Sequence, residues 1–213
     1  MTKTMAFDTE TIADKTKIPF LQDVKPKKGL TDPIKIKKNI KEKKEKQLAE
    51  MALNPISAQI CCFSWHNEKQ AQSLMLKEET QAAEKKLIQQ IWEVLYEFEH
   101  FVSFNGINFD VPLLKMRSLV HRVMPSINIS TKRYTVQNHT DCRMILGNWD
   151  KFASGTLGFY SQILLGKSPK EEYTGDQVQD LWDMELFNEI KNYCQFDTVC
   201  TMELYQLIQQ YYQ

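Results

Sequence analysis

Two acids stand one residue apart in the stretch MAFDTET, Asp8 and Glu10, at the end of an apolar run. In an extended strand, side chains two apart project to the same side, so both carboxylates would face one point. Anions held together repel. Such a pair is tolerable where a strand simply emerges into solvent, or around a hard divalent cation, which takes carboxylate oxygens as ligands. Two other acids could complete a cation site. Asp110 closes FVSFNGINFD, where a buried strand hands over to a helix. Taken alone it reads first as a helix N-cap, a position that favours Asp, and second as a functional group at a strand end. Asp197 lies in NYCQFDTVC with Tyr193 four residues before it, so the two share a helix face. Alone, that pair is an aromatic beside a solvated charge.

The elements that must position these residues follow from periodicity. KTMAFDTET is a short buried strand. After Asn54-Pro55, two apolar runs flank HNEKQAQ and read as a hairpin. In the segment TQAAEKKLIQQIWEVLYEF, residues Leu87, Ile88, Ile91, Trp92, Leu95 and Phe98 recur at helical spacing, with Thr80 as N-cap and Glu84 just inside. HFVSFNGINFD is a strand ending in a turn. VPLLKMRSLVHRVM is a helix that tolerates Pro112 in its first turn. NHTDCRMIL is an irregular segment or short strand. GTLGFYSQILLG is a short helix closed by Gly166, and helical periodicity runs from DLWDMELF to the C-terminus in two pieces. Strands and helices in this order imply an α/β fold, a mixed central sheet flanked by helices.

The charges balance, with 27 basic and 27 acidic residues among 213, yet they are unevenly placed. Between Lys15 and Lys46 lie twelve lysines and four acids, a local charge of +8 that leaves −8 for the remainder. Turn signals at Pro26, Gly29 and Pro33 mark the first half of this stretch, and its second half can form a helix with Ile36, Ile40, Leu48 and Met51 along a partial apolar stripe. It reads either as a solvated loop with i,i+4 Glu–Lys pairs such as Glu42 and Lys46, or as a phosphate clamp leaving directly after Glu10. The clamp is the favoured reading, because a basic arm on an acidic body attracts a polyanion. The five cysteines form no C-x-x-C pair and suggest neither a disulfide framework nor a thiolate zinc site. No signal-peptide core and no membrane-length apolar run is present. An intracellular, cytoplasmic protein is expected. His66, His100, His121 and His139 form no ligand cluster. His139 with Asp141 in NHTDC reads as local capping or as support behind a metal site. The four tryptophans read mainly as packing residues.

Taken together, the ordered motifs resemble the DEDD superfamily of 3′-5′ exonucleases. FDTET matches its first motif with Asp8 and Glu10, FNGINFD the second with Asn105, Phe109 and Asp110, and YCQFD the third with Tyr193 and Asp197. Asn192 stands where one branch carries histidine, so the tyrosine branch fits. NPISAQICCFSW, HTDCRMIL, TGDQVQDLW and IKNYCQFDTVCTMELY are similar to free-standing exonucleases related to the proofreading domain of family B DNA polymerases. The resemblance implies an RNase H-like fold and one exonuclease domain over 1–213, with a lysine-rich insertion at about 15–50.

It further implies that Asp8, Glu10, Asp110 and Asp197 bind two Mg²⁺ or Mn²⁺ ions, with Asp8 bridging, and that Tyr193 orients the attacking water. Asn105 and Phe109 match positions that contact the terminal nucleotides; Phe109 reads equally as core packing. Thr9 would offer its backbone to the same nucleotide. The implied partner is the 3′ end of a single-stranded nucleic acid, DNA ahead of RNA. An exoribonuclease of the same branch and a catalytically weak nucleic-acid-binding protein are the alternatives. Proofreading in trans, repair and nucleic-acid scavenging are all compatible with the sequence, as is any oligomeric state.

Overall fold

The computed structural model describes residues 3–67, 69–150, 152, 154–167 and 173–212. Five strands form one sheet, in the order β3-β2-β1-β4-β5. They are β1 (Thr4–Ala13), β2 (Ala58–His66), β3 (Ala71–Met75), β4 (His100–Ser103) and β5 (His139–Asp141). Strand β2 runs antiparallel to both its neighbours, β1 and β3, while β4 pairs in parallel with β1 and β5 in parallel with β4. The sheet is therefore mixed, with the acid-bearing strand at its centre. Its helices are α1 (Pro33–Leu53), α2 (Gln81–Tyr96), α3 (Asp110–His121), α4 (Cys142–Leu146), α5 (Leu157–Leu165), α6 (Val178–Asp183) and α7 (Phe187–Tyr211).

The central position of β1 accounts for its burial. Met5 and Phe7 point into the larger core with Leu87, Ile88, Ile91 and Leu95 of α2 and Leu113 and Leu114 of α3. Ala6 points the other way, into a smaller cluster with Val102, Met202 and Ile208. By the same alternation Asp8 and Glu10 lie on the side covered by α7. Helix α2 starts as expected: the Thr80 hydroxyl accepts from the Ala83 amide at 3.1 Å. Gly166 closes α5 at φ +65, and the terminal helical run breaks between α6 and α7, where Glu185 takes φ +60. The segment NHTDCRMIL resolves into β5 followed by α4, with Asp141 as the N-cap.

The lysine-rich stretch differs from expectation in two ways. Strand β1 continues to Ala13 beyond a register shift between Glu10 and Thr11. The arm therefore starts at Lys15, about 16 Å of extended chain past Glu10, and does not leave directly from the acid pair. Helix α1 forms with Asp32 as its cap and Pro33 in its first turn, but of the expected apolar stripe only Met51 is buried. Too few apolar residues share a face to pack α1 along its length. It is held by i,i+4 pairs, Lys38–Glu42 at 3.9 Å, Lys41–Glu45 at 3.7 Å and Lys46–Glu50 at 3.7 Å. Its own preceding loop adds contacts, Lys43 Nζ to the Lys25 carbonyl at 2.9 Å and Gln47 Nε2 to the Gln22 carbonyl at 3.1 Å. The stretch leaves and returns at one point: the Asp14 amide donates to the Ser57 carbonyl at 2.8 Å, and Ala13 pairs with Ala58.

Candidate functional site

A buried ion network fixes the far end of the acid-bearing strand. Arg117 of α3 is fully buried and donates to Glu84 of α2 through Nε at 2.8 Å and Nη2 at 2.6 Å, to Asp14 at 3.1 Å and to the Ile56 carbonyl at 3.1 Å. Glu84 also accepts from the Ile60 amide at 3.0 Å and lies 2.8 Å from His121 Nε2. The hydrogen bonds from His121 and Arg117 hold the Glu84 carboxyl below its ordinary range, against the opposing effect of burial. Glu84, read from sequence as a helix-start residue, thus turns inward and ties α2, α3, β2 and the end of β1 together.

At the other end of this frame, Asp8 and Glu10 of β1, Asp110 at the start of α3, and Tyr193 and Asp197 of α7 converge. Asp110 is not an N-cap; Phe109 takes that place and no side chain caps α3. The Asp110 carboxylate instead accepts from the Thr9 amide at 3.0 Å and from the Thr9 hydroxyl. Thr9, expected to offer its backbone to a nucleotide, commits its amide to this neighbour. Cys194 donates its thiol to Asp8 Oδ2 at 3.4 Å. Ligating atoms of Asp8, Glu10 and Cys194 lie within 4.8 Å of one another. Glu10 is buried. The Tyr193 phenol lies close enough to Asp197 to favour the charged form of its carboxylate.

The proximity sets the electrostatics of the acids. Burial, then the charge of Asp197, pushes the Asp8 carboxyl up to about 7. Burial raises Asp197 to about 7 as well, with Asp110 adding to the rise and the Tyr193 hydroxyl opposing it. Glu10 is raised well above the carboxylate range by burial and by Asp8, Asp197 and Asp110. Asp110 is raised by burial and by Asp8. Burial and the same acids push the Tyr193 phenol up, so it stays a neutral donor at any physiological pH. A cluster so arranged cannot be fully ionised near neutrality without counter-charge. Its oxygens are the hard donors that Mg²⁺ and Mn²⁺ accept, so the residues fit that pair of ions.

The turn between β4 and α3 is shaped around Asp141. That carboxylate accepts from the amides of Asn105 at 2.9 Å, Ile107 at 3.0 Å and Met144 at 3.2 Å, so it caps α4 and fixes the chain entering Asp110. Asn105 sits at φ +73, and a Cβ on Gly106 would collide with the Ser103 side chain. His139 backs the same turn. Its Nδ1 lies 2.8 Å from the Ser130 carbonyl, which can only accept, so Nδ1 carries the proton. Nε2 then accepts from the Ser103 hydroxyl at 2.8 Å, and Ser103 Oγ accepts from the Gly106 amide at 3.1 Å. The capping reading of the His139–Asp141 pair is met: Asp141 caps α4, and both residues brace the turn that enters Asp110. The Asn105 side-chain oxygen accepts from Arg143 at 2.8 Å. Phe109 is partly buried against the main core.

A mixed five-stranded sheet with flanking helices is the RNase H-like architecture of the family B polymerase exonuclease domain. The chain belongs to the family described as predicted 3′-5′ exonucleases related to the exonuclease domain of PolB, whose model matches residues 48–212. The match begins after β1, so Asp8, Glu10 and most of the lysine-rich stretch lie outside it. A family B DNA polymerase from the hyperthermophilic archaeon Pyrobaculum calidifontis has a similar fold, with a TM-score of 0.65 at 12% identity over 98% of this chain; the chain spans 25% of that polymerase. An uncharacterized protein of Methanocaldococcus jannaschii is 29% identical over 137 residues, covering 59% of this chain and 74% of that protein.

Proposed function

We propose that this protein is a metal-dependent 3′-5′ exonuclease of the tyrosine branch, acting on the 3′ end of single-stranded nucleic acid, with DNA preferred to RNA. The observation that carries the reading is the meeting of four carboxylates and a tyrosine from β1, the start of α3 and α7, at mutual distances close enough to raise one another's pKa values. Burying like charges together is costly for a fold alone. Two Mg²⁺ or Mn²⁺ ions held there would supply an activated water and a stabilised leaving oxyanion.

In this reading Asp8 and Glu10 are the strand-borne ligands, Asp110 and Asp197 the helix-borne ones. The Thr9 donors keep Asp110 turned toward the pair. Tyr193, held neutral, orients the attacking water through its hydroxyl and does not take its proton. Asn105 and Phe109, on the turn entering Asp110, border the terminal nucleotide. The chain is read as one exonuclease domain over 1–213, with the lysine-rich stretch at about 15–50 as an insertion.

Incubation with 5′-labelled DNA and RNA oligonucleotides of matched sequence, in Mg²⁺, Mn²⁺ or chelator, tests this. Ladders shortening from the 3′ end only with metal, faster on DNA, and abolished in Asp197→Ala at unchanged circular dichroism, are the expected result. Shortening that persists in chelator, or strand binding with no release of mononucleotides in either metal, overturns it.

A further inference from the structure

Beside the candidate site lies a surface that the proposed chemistry does not use. Tyr134 comes from the loop between α3 and β5, Trp149 from the turn after α4, and their rings meet with centroids 5.6 Å apart at 41°. Neither belongs to a core cluster, and Tyr134 is 74% exposed. Both residues adopt the left-handed backbone region, at φ +63 and +62, which bulky side chains rarely occupy. Two loops thus hold unfavourable conformations at the residues that display an aromatic pair on the surface, and such outliers cluster where ligands are held.

Two arginines join this pair to the site. Arg133, adjacent to Tyr134, donates to the Asn108 side-chain oxygen at 3.0 Å. Arg143 donates to Asn105 at 2.8 Å. Both asparagines lie on the turn that runs into Asp110, so the ridge abuts the acids. Arg133 is exposed and, among the described residues, makes no ion pair with a carboxylate. Apart from the ions it would hold, the acid cluster offers no positive charge to a polyanion, so the grip on the strand leading in falls to groups beside it. Unpaired bases stack on exposed rings whatever their sequence, while cations follow the backbone.

We propose that this ridge is a platform for the single strand leading into the site, with Tyr134 and Trp149 stacking its bases and Arg133 facing its phosphates. The proposal rests on the nuclease reading for its substrate, and its test is independent of cleavage.

Fluorescence anisotropy in chelator, where no hydrolysis occurs, compares a short oligothymidylate with the same strand made abasic except at its 3′ end. The wild type should bind the abasic strand more weakly, by between about 5-fold and about 160-fold for each stacked base. Tyr134→Ala/Trp149→Ala should bind the intact strand about as weakly as the wild type binds the abasic one, and Tyr134→Phe/Trp149→Phe should keep wild-type affinity. Equal wild-type affinity for the two strands overturns the platform, and that comparison needs no altered protein. Full affinity in the folded double-alanine variant overturns the assignment to these rings. Absence of Mn²⁺-dependent mononucleotide release from the wild type would instead remove the nuclease reading and leave the anisotropy comparison to decide the platform.

Discussion

Replacing Asp8 by Asn should stabilise the metal-free protein, and only where the carboxylate would be charged. Asp8 is raised from 3.8 to about 7 in the folded chain. A group with a raised folded pKa is stabilising below its unfolded pKa, and that contribution is lost as pH climbs through the folded value. The wild type in chelator should therefore lose stability between about pH 4 and pH 7. A rise of about three units, at about 1.4 kcal/mol each, bounds the loss near ~4 kcal/mol. Burial is the larger cause of that rise and the charge of Asp197 the second; because the clustered acids titrate together, removing this one charge recovers part of the bound, roughly 2–3 kcal/mol. For a chain of this length that is about 5–10 °C in melting temperature. Asn keeps the shape and an oxygen to accept the Cys194 thiol. Thermal melting of wild type and Asp8→Asn in chelator, at about pH 5 and about pH 8, should give near-equal values at the lower pH and a higher one for the variant at the upper. Adding Mn²⁺ should restore the wild type far more than the variant, since an ion that binds only the folded state stabilises it. A wild type indifferent to pH in chelator, or a variant less stable at pH 8, would refute the electrostatic account of the cluster.

Arg117→Met should lower stability by about 3–5 kcal/mol at neutral pH, because it leaves the Glu84 and Asp14 carboxylates buried without their cation; urea unfolding measures this. Both acids are held below their ordinary range in the intact network, so the network's contribution is present above about pH 4 and lost on acidification, whereas the variant should gain stability as pH falls. Neutralising Lys35, Lys37, Lys38, Lys41, Lys43 and Lys44 to Gln should weaken binding of a single strand and flatten its salt dependence by about 0.7 in log–log slope for each phosphate that is no longer neutralised; unchanged affinity and slope would assign these lysines to solvent.

Where one apolar period ran long enough, the sequence disclosed the element and its ends. Helix α2 with its Thr80 cap, the β2–β3 hairpin, the Gly166 closure of α5 and the two-part terminal helix all followed from spacing and cap chemistry. The convergence of Asp8, Glu10, Asp110 and Asp197 was legible only because their order along the chain was read together, since each acid alone has an ordinary explanation. Ser103, Cys194 and the bond of Thr9 to Asp110 were opaque for a different reason. Their roles are hydrogen bonds across the sheet or between layers, which local pattern does not encode. Arg117 did leave a signal. Leu113, Leu114, Arg117, Ser118 and His121 are all buried on α3, so the period continues through polar residues that a search for apolar ones passes over. Segment 139–146 splits between a three-residue strand and a five-residue helix, too short for either period to register.

The contact of Asp14 with Ser57, beside the Ala13–Ala58 pair, makes strands β1 and β2 a hairpin whose loop has swollen into an appendage. Its outer portion braces mainly against itself, so the strand register holding the two acids does not depend on the appendage's length or charge. A descendant of this chain could lose the basic helix altogether and keep its carboxylates where they stand.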